Sequence, residues 1–175
     1  MVRMFVYRVG IDPRGRVLLI LADEQVTRLL PMVIGQYEAR AIAMELAKER
    51  FDRPLTHDLV HSVISSLGHR LERVDITKLE DEVFYAELSL VGEGEIVKVD
   101  ARPSDAIALA LRSHAPIFVA EEVLEQAGHL PEDIVVEGEE GEENDSADEP
   151  LDSDVDRVRR LLESLDFEEG QDQQG

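Results

Sequence analysis

The sequence predicts an α+β fold: a single compact domain of mixed and antiparallel strands with about four helices, followed by an acidic linker and a short C-terminal helix. Three observations lead there. Short runs rich in β-branched and aromatic residues, such as VRMFVYRV and VFYAELSL, are bounded by Gly, Pro and Asp and read as strands. Other segments repeat their apolar residues at helical spacing, as in LVHSVISSL. The composition then changes abruptly at residue 137, where EGEEGEENDSADEP offers nothing that could enter a core.

Taken in order, residues 2–9 and 16–22 read as strands joined by a turn at Asp12-Pro13-Arg14-Gly15, and 29–34 as a third strand ending at Gly35. A first helix is expected over about 37–50, with Ala39, Ile42, Ala43, Met44, Leu46 and Ala47 apolar. A second is expected over about 56–67, where Leu59, Val60, Val63, Ile64 and Leu67 make one face and Gly68 takes the left-handed position after the C-cap. Strands follow at 70–78, 83–91 and 95–100, the last two a hairpin turning at Gly92-Glu93-Gly94. The helix at 103–113 is apolar nearly all round, which marks a buried element. A short strand at 116–119 and a short helix at 121–126 complete a domain of residues 1–136.

Residues 137–150 are expected to be a disordered linker, 151–167 an amphipathic helix carrying Leu151, Val155, Val158, Leu161, Leu162 and Leu165, and 168–175 a disordered tail. That helix is expected to dock on its own domain or on a subunit partner, with a separate protein partner as the alternative. EARAIAMEL at 38–46 and SDAIALALR at 104–112 echo one another, a likeness read as two Ala-rich helices rather than a repeat.

Charge narrows the function classes. Eighteen basic residues face 39 acidic ones, a net charge of −21. Residues 1–136 carry 15 basic and 23 acidic groups, and residues 137–175 carry 3 and 16, so the body is acidic as well as the tail. Such a body repels nucleic acid at long range, and only local arginine clusters could hold phosphate. Fifteen of the basic residues are Arg and three are Lys, a pattern suited to a salty interior. With no cysteine there is no disulfide, thiolate metal site or Cys nucleophile. No run approaches the ~18 apolar residues of a membrane span, and MVRMFVYRVG is too short for a signal segment. The expected location is cytoplasmic, with no membrane partner.

Two polar motifs open helices: Arg53-Pro54-Leu55-Thr56-His57-Asp58-Leu59 and Asp100-Ala101-Arg102-Pro103-Ser104-Asp105-Ala106. A helix N-terminus presents free backbone N–H groups and the positive end of a dipole, and so can hold an anion. The same residue types are also ordinary capping chemistry. Histidine is the side-chain type suited to proton transfer near neutral pH, so His57 is the candidate base; Asp58 and Asp105 join it as candidate catalytic residues. Arg53, Thr56, Arg102 and Ser104 are candidates for holding substrate. Asp58, Asp100 and Asp105, with Glu38 as a further carboxylate, could gather around a divalent cation, Mg²⁺ or Mn²⁺. The bland alternatives are dipole complementation for Asp58, Asp105 and Glu38, and an ion pair of Asp100 with Arg53 or Arg102. His61, one turn beyond His57, has the spacing of a metal pair but no further ligands in support.

The stretches LPMVIGQYEARAIAMEL, RPLTHDLVHSVISSLG and VDARPSDAIALALRSHAPIFVAEEVLEQAG resemble the bifunctional nuclease (BFN) domain family, over roughly residues 1–127. The resemblance implies an α+β fold of its own kind, a nuclease activity on DNA and RNA, and nucleic acid as partner. The reading is therefore a nuclease with metal-assisted phosphodiester hydrolysis, expected as a homo-oligomer such as a dimer. The rival is a non-enzymatic regulatory or binding module with an anion- or protein-docking site.

Overall fold

The computed structural model describes residues 1–92 and 94–134. The expected linker at 137–150, the helix at 151–167, the tail at 168–175 and Glu93 of the hairpin turn lie outside the described residues. In order the elements are β1 (Val2–Ile11), β2 (Val17–Asp23), β3 (Leu29–Val33), α1 (Gln36–Leu46), α2 (Thr56–Ser66), β4 (Arg70–Glu80), β5 (Val83–Gly92), β6 (Glu95–Ala101), α3 (Pro103–Ser113), β7 (Ile117–Val119) and α4 (Glu121–Ala127). The elements expected between residues 1 and 134 are present, and among them α1 is notably shorter than its periodicity suggested. Its last turn closes at Ala47, and Lys48 takes a positive φ that ends the helix.

The strands form one seven-stranded sheet in the order β3-β2-β1-β7-β4-β5-β6. Two antiparallel meanders, β1-β2-β3 and β4-β5-β6, are joined by β7, which pairs antiparallel with β1 and parallel with β4. Each meander runs into an Ala-rich helix, α1 in one case and α3 in the other. The sequence echo thus falls on helices in equivalent places, which the chain alone did not reveal.

Strand alternation sets the two faces of the sheet. Met4, Leu19, Leu21, Val74, Ile76, Ala86, Leu88, Ile117 and Val119 lie on the helical side with Ala106, Ile107, Ala108, Leu109 and Ala110 of α3 in one core. A smaller cluster on the opposite face joins Leu18, Ile20, Ala22 and Leu29, with Val26 and Ile134 against it. α3 packs on β4 and β5, with α1 and α2 on its flanks.

α2 departs from expectation. None of its residues is buried. Its half-buried positions are His57, Asp58, His61 and Ile64, while Leu59, Val60, Val63 and Leu67 are exposed. The aliphatic face predicted for this helix points to solvent except at Ile64. At 3.6 residues per turn the exposed aliphatic stripe lies more than a third of a turn from the packed one.

Candidate functional site

α2 and α3 meet near their N-termini, and this is what brings the two motifs together. Arg102 is the N-cap of α3 in extended conformation, with Pro103 in the first turn. Asp105 follows there, where a carboxylate complements the helix dipole. His57 lies in the first turn of α2, and its Nε2 is 3.1 Å from Asp105 Oδ1. The other carboxylate oxygen accepts from Arg102 Nε at 2.6 Å. Arg102 also reaches Glu38 Oε1, in the first turn of α1, at 2.8 Å. A chain of four side chains, His57–Asp105–Arg102–Glu38, therefore links the N-terminal turns of three helices.

Burial grades the chain. The side chain of His57 is 13% exposed, while that of Arg102 is 67% exposed. Burial works to raise the Asp105 pKa, but hydrogen bonds from Arg102 and His57 outweigh it, and the carboxyl ends below its ordinary value. The Arg102 pKa is raised, first by its bond to Asp105 and then by that to Glu38. With the ring hydrogen on Nε2 donated to Asp105, His57 Nδ1 keeps its lone pair. Nδ1 has no partner among the described residues. The group is thus a histidine oriented by a carboxylate, with an exposed guanidinium behind that carboxylate.

Asp58 takes a different part. Its Oδ2 accepts from the Leu55 N–H at 2.9 Å, closing the start of α2, and its Oδ1 accepts from Arg112 Nε at 2.5 Å. Burial pushes the Asp58 pKa up, and Arg112 and the Leu55 N–H bring it below the ordinary value. Arg112, 6% exposed, also donates to the carbonyls of Ala108 at 2.9 Å and Ala41 at 3.2 Å, so it ties α1, α2 and α3 together. Sequence reasoning missed it. The available signal was a single guanidinium ending the apolar run AIALALR.

The remaining candidates divide. Arg53 is exposed, with no ion pair or hydrogen bond among the described residues. It lines a cleft of about 290 Å³ with Arg50, Phe51, Asp58 and Arg112. Thr56 is exposed in the first turn of α2, next to the Leu55 N-cap. Ser104 is buried, so its hydroxyl is not presented at the surface as a substrate contact would require. Asp100 pairs in register with Glu87. Alternation puts it on the sheet face opposite Val99 and Ala101, away from the helices that carry Asp58 and Asp105. It makes no ion pair with Arg53 or Arg102; Arg102 is engaged by Asp105 and Glu38 instead.

The carboxylates therefore do not converge on one point. Among the described residues no group of three or more His, Cys, Asp or Glu side chains is placed to hold a metal ion. Asp58 answers to Arg112, Asp105 and Glu38 answer to Arg102, and Asp100 lies on the far face. The donor set does not fit a preformed Mg²⁺ or Mn²⁺ centre.

Fold and site together define an α+β domain whose helix N-termini carry a His–Asp pair and an exposed arginine. The chain belongs to the bifunctional nuclease domain family, whose model matches residues 19–132. It is 40% identical over 154 residues to an uncharacterised protein of Mycobacterium tuberculosis, with 88% of each chain covered. It is 31% identical over 94 residues to bifunctional nuclease 1 of Arabidopsis thaliana, covering 52% of this chain and 29% of that one. With bifunctional nuclease 2 of Oryza sativa subsp. japonica it shares 31% over 110 residues, 61% of this chain and 34% of the other. The chain thus spans about a third of the length of these plant relatives. No helix among the described residues is long and apolar enough to cross a membrane.

Proposed function

We propose that this domain hydrolyses phosphodiester bonds in DNA and RNA, with His57 as general base. The observation that carries the reading is the hydrogen-bonded chain His57–Asp105–Arg102 at the meeting of two helix N-termini. Asp105 holds the imidazole with Nε2–H bound and Nδ1 free to take a proton. A water oxygen attacks phosphorus as its proton passes to Nδ1. The bond from phosphorus to the leaving oxygen breaks, that oxygen takes a proton from solvent, and His57 returns its own proton to solvent. Arg102 faces the charge that grows on the phosphoryl oxygens, and Arg53, unpaired at the cleft, supplies a second guanidinium for the strand. Family membership and the plant nucleases support the same reading.

The experiment is a nuclease assay on single-stranded DNA and RNA, run with Mg²⁺, with Mn²⁺ and with chelator, beside His57→Ala. The reading expects wild-type cleavage and its loss in the variant with the melting temperature little changed. Activity that survives His57→Ala removes the base from the mechanism. The acidity of the domain favours a second reading, a non-enzymatic anion- or protein-docking module, because Asp105 and Glu38 already neutralise Arg102. Binding of oligonucleotide without turnover would select it.

A further inference from the structure

We infer that Glu38 gates the phosphate site of the hydrolytic reading, on which the inference rests: its carboxylate holds the place on Arg102 that a phosphoryl oxygen takes, and it leaves Arg102 when a strand binds. A guanidinium grips an oxyanion best with two parallel N–H groups along one edge. In Arg102 that edge is divided. Nε donates to Asp105 Oδ2 at 2.6 Å, and Nη2 reaches Glu38 Oε1 at 2.8 Å. With His57 neutral, as a base must be, two carboxylates face one cation. A phosphodiester brought to this corner meets net negative charge and a guanidinium edge already taken.

Of the two carboxylates, Glu38 is the one placed to move. Asp105 is held from two sides, by Arg102 and His57, and shares α3 with the guanidinium it caps. Glu38 comes from α1 and meets Arg102 across the gap between two helices. Arg102 is 67% exposed, so this pair lies in water and is weak enough for a phosphate to displace. A second observation concerns Gly35, the N-cap of α1. The Glu38 carboxyl folds back over it, and Oε2 and Cδ occupy the space that a β-carbon there would need. Gly35 is in extended conformation, with φ −72° and ψ 154°, which any residue adopts. The backbone therefore does not call for glycine here; the Glu38 carboxyl does. Capping does not account for the posture. Among the described residues Glu38 takes no hydrogen bond from the Gly35 N–H, whereas Asp58, at the same position of α2, takes one from Leu55. Gly35→Ala thus displaces the carboxylate without changing the charge.

The test is stopped-flow anisotropy of a labelled oligothymidylate on the full chain, read before turnover. It compares wild type with Glu38→Gln, Gly35→Ala, Asp100→Asn, Arg102→Gln and the Arg102→Gln/Glu38→Gln pair. Glu38→Gln should bind about two- to five-fold tighter, the gain from removing a competitor of surface-pair strength. Gly35→Ala should tighten binding as well, because its β-carbon moves the carboxyl while the net charge stays. Asp100→Asn removes a charge two residues from Arg102 but on the far face of the sheet, and should change little. In the Arg102→Gln background, Glu38→Gln should gain nothing. Melting temperatures of Glu38→Gln and Gly35→Ala should stay close to wild type, since the pair they break lies in water. A wild type that binds, with neither Glu38→Gln nor Gly35→Ala tighter, overturns the gate and leaves the hydrolytic reading standing. Tightening in Glu38→Gln that Asp100→Asn matches, or that Gly35→Ala does not share, is an effect of net charge and overturns it too. If no form binds the oligothymidylate, the gate and the hydrolytic reading fall together.

Discussion

His57 and Asp105 lie 48 residues apart in the chain, and His57 Nε2 comes to 3.1 Å from Asp105 Oδ1. The contact needs the first turns of two helices to meet, and the packing of α2 on α3 brings them together. Each helix begins at an extended N-cap, Leu55 in one and Arg102 in the other, followed by a first turn with its backbone N–H groups open. The imidazole is thereby oriented by a carboxylate and not simply solvated.

Asp105→Asn should therefore keep the fold and lose most of the rate. Asn can accept from Nε2–H but does not stabilise the imidazolium that forms when Nδ1 takes a proton. A positioned acid–base pair contributes about 10²–10⁴-fold, so a fall in kcat of roughly that order is expected. A rate within two-fold of wild type would show that Asp105 does not act through His57.

The fold was legible in the sequence because each element carries its own period. The helix ends were legible where one residue decides, as at Gly68, whose φ of +76 is the left-handed position after α2. The site was legible in part. His57, Asp105, Arg102 and Glu38 come together, since all four are first-turn or N-cap residues and helix starts cluster at one end of the packed layer. Asp100 does not join them, because strand parity sends it to the other face, and a cluster drawn from sequence proximity ignores parity. Arg112 was missed because a guanidinium in a buried helix gives no pattern of its own until its three partners are placed around it. The direction of α2 was also out of reach. Periodicity locates an aliphatic stripe but does not say whether this chain or another covers it.

Arg112→Met should destabilise the domain by about 3 kcal/mol. Asp58 and two carbonyls would lose their donor at a site where the replacement cannot hydrogen-bond; Arg112 is buried though Asp58 is about a third exposed, which puts the cost at the low end of that for breaking a buried pair. Arg112→Lys should recover only part, because an ammonium cannot serve Asp58, Ala108 and Ala41 with one planar fork. Urea midpoints read this directly. A loss below about 0.5 kcal/mol in Arg112→Met would mean the three-helix tie contributes little.

Asp58 and Asp105 should contribute to the acid limb of stability, alongside Asp12 and Asp23, whose pKa values are also lowered. All four have folded pKa values below the ordinary 3.8, so each stabilises the fold above pH 3.8 and loses that contribution as pH falls through its lowered value. Melting temperature should be flat with respect to these groups from neutrality to about pH 5 and fall below about pH 4. The gap between wild type and Asp105→Asn should close over the same window. A gap that stays constant to pH 2 would show that Asp105 is not held ionised by Arg102 and His57.

Stability should also rise between low salt and ~1 M, where the Debye length falls towards ~3 Å and repulsion among 39 carboxylates is screened. The surface ion pairs work in the opposite sense, but they are exposed, and exposed pairs contribute little. A melting temperature that falls with salt would mean that local pairing outweighs net repulsion in this chain.

Arg102→Lys separates the two functional readings. The guanidinium donates to Asp105 and Glu38 but is 67% exposed, so these pairs sit in water and are worth at most about 1 kcal/mol. Lysine keeps the charge and gives up the planar fork that can hold a carboxylate and a phosphoryl oxygen together. If Arg102 meets phosphate, the variant should melt within a few degrees of wild type while its affinity for single-stranded oligonucleotide falls several-fold. The salt dependence should change little, because the charge count is kept. Melting temperature and oligonucleotide titration on one variant decide the matter. Unchanged affinity with an intact fold would take Arg102 out of substrate contact. A large loss of stability, in a protein whose parent binds no oligonucleotide, would make the corner a structural clasp and leave the docking-module reading in possession of the site.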